Sequence, residues 1–291
     1  MIRHLVFDER CLSDKNRGYG GAATMLRDFE NVVDRVLLLH YGSIDTFELS
    51  SRDFLAGASC IDRWFLYLLR NSSSVKEVML KQRGTMYKVS SCMFLLQDLT
   101  RLELYNCLLK PPVEFRGFPR LKSLEILKVT VAQDVLEKII SCCPLLERMT
   151  LRGYRSATRL NIDAQNLQFL EVGGGFRRFE LKNTPNLVGM KFGQESKMIR
   201  LDESWNCTSN QLRVLKITGL SGSLREITLF RFLLSSSPVL ERMTLQPTSH
   251  YVSWELPKML EGFKDVKKRF MDPSSYTPRS IYSCQSSSDE Y

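Results

Sequence analysis

One spacing dominates this chain. The pattern apolar-x-x-apolar-x-apolar begins at Ile44, Val75, Leu99, Leu121, Leu146, Leu167, Leu187, Leu212 and Leu240, in steps of 31, 24, 22, 25, 21, 20, 25 and 28 residues. In a sequence that is 43% hydrophobic, so short a pattern recurs by chance. Two features lift it above that. Residues 99–109, LTRLELYNCLL, set Leu99, Leu102, Leu104, Cys107 and Leu109 in one frame, and Leu121, Leu124, Ile126, Val129 and Val131 repeat the frame 22 residues later. Residues 142–151 (CCPLLERMTL) also nearly duplicate residues 236–245 (SSPVLERMTL), each after a helical run, VLEKIIS or LFRFLLS. A unit of helix, proline turn and strand has been reused.

Periods of this length with an L-x-x-L-x-L-x-x-C-x-L frame belong to leucine-rich repeats. Side chains alternate across a strand, so the leucines of x-L-x-L-x turn inward and the residues between them face water. The expected architecture is α/β: a solenoid with a curved parallel sheet on one side and helices and extended segments on the convex side. Residues 22–40 carry Met25, Leu26, Phe29, Val32, Val33, Val36 and Leu37 at helical spacing, and residues 59–70 repeat it through Ile61, Trp64, Phe65, Leu68 and Leu69. Gly18, Gly20 and Gly21 mark a loop before the first helix. Residues 133–142 predict a third helix. Between 151 and 192 the return is too short for a helix, and Leu160/Ile162 and Phe179/Leu181 predict extended convex segments, with Gly173-Gly174-Gly175 making a tight turn.

A single repeat cannot cover its own apolar side, so repeats stabilise one another in series and the ends need caps. The helices around 22–40 and 257–270 are the candidates. The chain then divides into an N-terminal cap region (1–43), repeats (44–200), a C-terminal region continuing the solenoid (201–272) and a disordered Ser-rich tail (273–291).

Catalytic and metal signatures are missing. The three histidines, His4, His40 and His250, belong to no metal-binding or nucleophile pattern, and His40 reads as a capping or core residue. None of the eight cysteines forms a Cys-x-x-Cys pair. The expectation is no enzyme, no cofactor and no metal. Without an apolar leader or an 18-residue apolar run, it is also no membrane and a reducing compartment, cytoplasm or nucleus.

What the pattern does provide is a face. Parallel stacking in the predicted register puts Glu48, Met79, Glu103, Glu125, Thr150, Glu171, Lys191, Lys216 and Thr244 in a middle outward column. The preceding column contains Glu77, Arg101, Arg148, Phe169 and Arg242, and the following one Lys81, Tyr105, Leu127 and Arg152. Five carboxylates against seven cations give these columns +2 of the chain's +9. Mixed charge with exposed Tyr105, Leu127 and Phe169 suits a protein partner. The residues expected to meet it are Glu77, Arg101, Glu103, Tyr105, Glu125, Leu127, Arg148, Arg152, Phe169, Glu171, Lys191 and Lys216. A nucleic-acid groove would concentrate positive charge and stacking rings, which these columns do not. The alternatives are a nucleic-acid-binding repeat protein, motivated by the +9 charge, and a plain solvated sheet face.

Whole segments of the chain resemble a known group. HLVFDERC (4–11), RVLLLHYGSIDTFELS (35–50), IDRWFLYLLRN (61–71), LTRLELYNCLLKPP (99–112), FPRLKSLEILKVTV (118–131), IISCCPLLERMTL (139–151) and NLVGMKF (186–192) are similar to the repeats of plant F-box proteins. CTSNQLRVLKITGLSG (207–222), FRFLLSSSPVLERMTLQP (230–247) and KMLEGFKDVKKRF (258–270) are similar to their C-terminal FBD region. The resemblance to the F-box/FBD/leucine-rich-repeat family implies a non-catalytic substrate receptor of a cullin–RING ubiquitin ligase. In that family an N-terminal F-box docks a Skp-type adaptor. No F-box stands in these 291 residues, so adaptor docking is expected only where one lies upstream in the natural product. A short form would instead sequester substrates as a decoy.

Overall fold

A computed structural model of the chain describes residues 2–8, 11, 22–51, 59–71, 75–154, 159–174, 178–193, 211–220, 223–248, 252 and 267–270. In chain order its elements are β1 (His4–Phe7), α1 (Ala22–Leu39), β2 (Thr46–Ser51), α2 (Ser59–Asn71), β3 (Glu77–Gln82), β4 (Tyr87–Lys88), β5 (Arg101–Tyr105), β6 (Cys107–Leu108) and β7 (Ser123–Leu127). They continue with α3 (Gln133–Ser141), β8 (Arg148–Tyr154), β9 (Arg159–Asp163), β10 (Phe169–Gly174), β11 (Arg178–Lys182), β12 (Gly189–Phe192), β13 (Val214–Leu220), α4 (Leu224–Ser235), β14 (Arg242–Pro247) and β15 (Lys267–Phe270).

Eleven strands form one parallel sheet in the order β1-β2-β3-β5-β7-β8-β10-β12-β13-β14-β15. This is the leucine-rich-repeat solenoid expected from the spacing. The inward positions follow the period-two rule: Leu102, Leu104, Leu124, Ile126, Met149, Leu151, Leu170, Val172, Leu215, Met243 and Leu245 are all buried. Nine successive steps between strands share one hydrogen-bond device. The carbonyl just before a strand accepts two consecutive N–H groups of the next, beginning at Arg3 with Asp45 and Thr46 and ending at Arg213 with Glu241 and Arg242. Each such carbonyl fills both lone pairs, which locks the register from one repeat to the next.

The entry to a strand is equally regular. Turns close from the N–H of Leu121, Leu146, Leu167, Leu187 and Leu240 to the carbonyls of Phe118, Cys143, Ala164, Thr184 and Ser237, at 3.1–3.3 Å. Four of the five have proline in second place, Pro119, Pro144, Pro185 and Pro238, where its fixed φ suits a turn. Asn166 and Asn186 each donate from their side-chain amide to the preceding turn, at Pro144 O (2.8 Å) and Gln165 O (3.0 Å).

The returns differ in kind. Helices α1 and α2 are joined through Asp34, whose carboxylate accepts from Trp64 Nε1 at 2.7 Å and Arg63 at 2.9 Å. Where no helix returns, Phe94, Phe115 and Phe118 fill the convex side, with ring centroids 4.9–6.2 Å apart. The short return after 151 is extended as expected: β9 and β11 pair in parallel, Leu160 with Phe179 and Ile162 with Leu181. His40 closes α1, its N–H donating to Leu37 O and its Nε2 buried without a hydrogen-bond partner. That fits its reading as a capping or core residue.

Three expectations need correction. Residues 4–7 are a strand paired with β2, so the sheet begins inside the segment read as a cap. At the other end, 267–270 pairs with β14 as a strand instead of completing a helix over 257–270, because the edge of β14 offers a full row of backbone partners. Residues 257–266, the loop glycines 18, 20 and 21, and the tail 273–291 lie outside the described residues. Finally, Gly173 and Gly174 end β10, Gly173 without a positive φ, while Gly175 of the expected turn lies outside the described residues. The left-handed residue falls where the chain leaves the sheet in other repeats, at Asn106, Lys128, Gly153 and Gly219. Gly173 serves close approach instead, its Cβ position lying 3.8 Å from the Cα of Gly193.

Candidate partner-binding face

In a repeat solenoid, strands sit ~4.8 Å apart on one side and helices 8–10 Å apart on the other, so the stack bends towards the strands. The outward strand residues line that inner side. Pairing confirms all three expected columns. Glu48, Met79, Glu103, Glu125, Thr150, Glu171, Lys191, Lys216 and Thr244 are consecutive register partners. Glu77, Arg101, Arg148 and Phe169 fall in the preceding column and Lys81, Tyr105, Leu127 and Arg152 in the following one.

The columns divide sharply by charge. Through β7 they carry four carboxylates (Glu48, Glu77, Glu103, Glu125) against two cations (Lys81, Arg101), a net −2. From β8 to β14 one carboxylate (Glu171) stands against five cations (Arg148, Arg152, Lys191, Lys216, Arg242), a net +4. The overall +2 conceals two halves of opposite sign.

The acidic half is stitched together. Lys81 bridges Glu48 at 2.9 Å and Glu103 at 3.5 Å, and Arg101 bridges Glu103 at 3.6 Å and Glu125 at 3.0 Å. Burial pushes the Glu103 carboxyl above its ordinary range; Lys81 pulls it back and Glu125 pushes it further up. Burial works to lower Lys81, but Glu48 and Glu103 outweigh it and hold the ammonium above its usual value. Tyr105, expected to be exposed, is buried at 4%, because strand neighbours close over it and Lys128 caps its ring at 5.5 Å. Leu127 is half-buried.

The basic half is more open. Arg152 and Lys191 share Glu171, the lysine at 2.8 Å. Arg148 lies over the Phe169 ring at 4.3 Å. Phe169, 37% exposed, and Val214, 36% exposed, flank Gly189 across a hollow of ≈ 380 Å³. Lys191 and Lys216 line it too, as do Glu125, Arg148 and Glu171. Gly189 and Val214 fall in the preceding outward column, as the expected register places them, but they were not among the residues expected to meet a partner. An outward glycine beside an outward aromatic is what opens the hollow.

No cluster of three or more histidine, cysteine or acidic side chains that could hold a metal occurs among the described residues. No described helix is long and apolar enough to cross a membrane.

Comparison with known proteins agrees with the geometry. The family model described as FBD-associated F-box protein At5g56370, LRR repeats, matches residues 61–208. The F-box/FBD/LRR-repeat protein At1g13570 of Arabidopsis thaliana is 41% identical over 189 residues, which is 65% of this chain and 44% of that protein. The chain thus spans less than half the length of that relative. No solved structure matches. Repeats of this type generally serve as non-catalytic interaction modules, which is what an open face on a rigid parallel sheet can do. With its repeats, their order and its relative in agreement, the chain belongs to the plant F-box/FBD/leucine-rich-repeat family.

Proposed function

We propose that this chain is the substrate-recognition part of an F-box subunit of a cullin–RING ubiquitin ligase, acting by binding alone through its inner sheet face. The observation that carries the reading is the in-register outward columns, which hold charged and apolar groups in fixed relative positions over ten strands from β1 to β14. Pre-organised groups bind without first being ordered, which is how a scaffold selects a partner. In this reading the repeats perform no chemistry, and docking to a Skp-type adaptor belongs to an F-box. The compartment in this reading is the cytosol or nucleus, where Cys60, Cys107 and Cys143 sit as buried thiols in the apolar core.

Affinity capture from a plant-cell extract tests this, comparing the chain with a face variant (Glu125→Lys with Lys191→Glu) and a convex control (Lys138→Glu on α3). The expected result is a defined protein set lost with the face variant and kept with the control. The opposite pattern sinks the reading. Strong binding of purified Skp-type adaptor by these 291 residues would remove the assignment of docking to an F-box.

A further inference from the structure

We infer that the basic half of the inner face binds an acidic, extended protein segment in which an apolar side chain stands one or two residues from a carboxylate. This rests on the reading of that face as the partner surface and adds the chemistry of the partner.

The seat for the apolar group is already built. The Phe169 ring leans over Gly189, so that a Cβ there would lie 2.7 Å from the ring, and Val214 rises beyond the glycine. Both side chains are more than a third exposed. The anchor for the carboxylate stands beside it. Lys216 lies two residues after Val214 on the same face, about 6–7 Å along the strand. It is half-buried, and no carboxylate among the described residues pairs with it. Arg242, next to Val214 in the register, is exposed and likewise has no acidic partner among the described residues. Burial and the neighbouring Lys191 hold the Lys216 ammonium below its usual range, so an arriving negative charge relieves an existing cost. One extended segment can satisfy both seats, because its own repeat along the chain is the same ~6–7 Å per two residues.

Position on the face follows from charge. An acidic segment is repelled by the net −2 of the N-terminal half and drawn to the net +4 of the C-terminal half. A phosphate backbone fits less well. Of the five cations there, Arg148 is stacked on Phe169, and Arg152 and Lys191 are shared with Glu171, which leaves only Lys216 and Arg242. Between β8 and β14, two unpaired cations and one exposed ring are few for a nucleic-acid track, and Lys267 and Arg269, at the β15 register positions of Arg242 and Thr244, make the oligonucleotide competitors a required arm of the test.

The test is selection of random dodecapeptides on the immobilised full chain at low and high salt, with single- and double-stranded oligonucleotides as competitors. Enriched peptides are expected to carry Asp or Glu within two residues of Leu, Ile or Phe. Their affinity should fall about tenfold or more with Lys216→Glu, and similarly with Arg242→Glu, while Lys216→Arg retains it. Thermal unfolding of each variant shows that the fold is intact. Enrichment of basic peptides, no enrichment, or displacement by oligonucleotide with a steep salt dependence overturns the inference. Peptides sensitive to Glu77→Lys but indifferent to Lys216→Glu remove it while keeping the face as the partner surface. Peptides lost only with Lys138→Glu remove both.

Discussion

Gly189 lies beneath the ring of Phe169. A Cβ at that position would stand 2.7 Å from Phe169 Cδ1 and 3.0 Å from Cε1, while Arg148 covers the same ring at 4.3 Å. The ring is held between a guanidinium on one strand and bare backbone two strands away. Gly189→Ala should therefore swing the ring off Arg148, destabilising the chain by about 1–2 kcal/mol in denaturant unfolding and weakening any peptide bound at the hollow. An unchanged unfolding midpoint would mean the ring does not rest there.

Gly117 makes a sharper demand. It has φ of 100°, and a Cβ would approach the carbonyl oxygen of Cys142 to 1.9 Å. The obstacle is backbone at the end of α3, which cannot rotate away. Gly117→Ala should cost about 3 kcal/mol or more and abolish the cooperative thermal transition or move it far down.

Leu124 and Leu127 lie on one strand and face opposite ways. Leu124 is 1% exposed in the core, whereas Leu127 stands in the outward column. Leu124→Ala is expected to lose about 2–5 kcal/mol through the cavity it leaves. Leu127→Ala should lose about 0.5 kcal/mol or less. Equal losses in chemical denaturation would show that the strand is not oriented as described.

Acid–base behaviour should differ between two carboxylates. Burial dominates at Glu103 and raises it above 4.5, so its stabilising contribution is present below that value and lost as pH rises through the folded one. Glu103→Gln should then leave stability at neutral pH unchanged or higher. At Asp45 burial acts upward, but hydrogen bonds and charge from Lys76, with Arg3, outweigh it and hold the carboxyl below 3.8. Its contribution is present above that value and lost as pH falls through the folded one, so Asp45→Asn should lower stability at neutral pH and soften the acid limb. Unfolding curves across the acid range decide both.

Thiol labelling reports the core. Burial, with Glu30 adding to it, raises Cys60 to about 12; burial raises Cys107 to about 12 and, with Cys142 adding to it, Cys143 to about 11. Thiolate is the reactive form. Iodoacetamide at mildly alkaline pH should modify exposed Cys11 first and leave Cys60, Cys107 and Cys143 untouched until denaturant is added. Peptide mass spectrometry reads the order, and early labelling of Cys107 would contradict its complete burial.

The columns were legible from spacing because alternation across a strand is local: once Leu102 and Leu104 point inward, Arg101, Glu103 and Tyr105 must point outward. The same reasoning located the extended return at Leu160 and Ile162, since too few residues lie between strands for a helix. Two things at the ends escaped it. A four-residue strand such as His4–Phe7 or Lys267–Phe270 carries too little pattern to be distinguished from a loop or a helix turn, and only an available sheet edge makes it a strand.

From the sequence by itself came the repeat, the inward and outward sets, and the register that aligns them, all consequences of backbone periodicity and repeat length. Tertiary structure alone decided that Tyr105 is covered, that Lys81 and Arg101 are consumed by the acidic half, and that Phe169 and Val214 border an open hollow beside Lys216. Those outcomes depend on how side chains from neighbouring strands, twenty or more residues apart, lean against one another. No property of a single repeat contains that information.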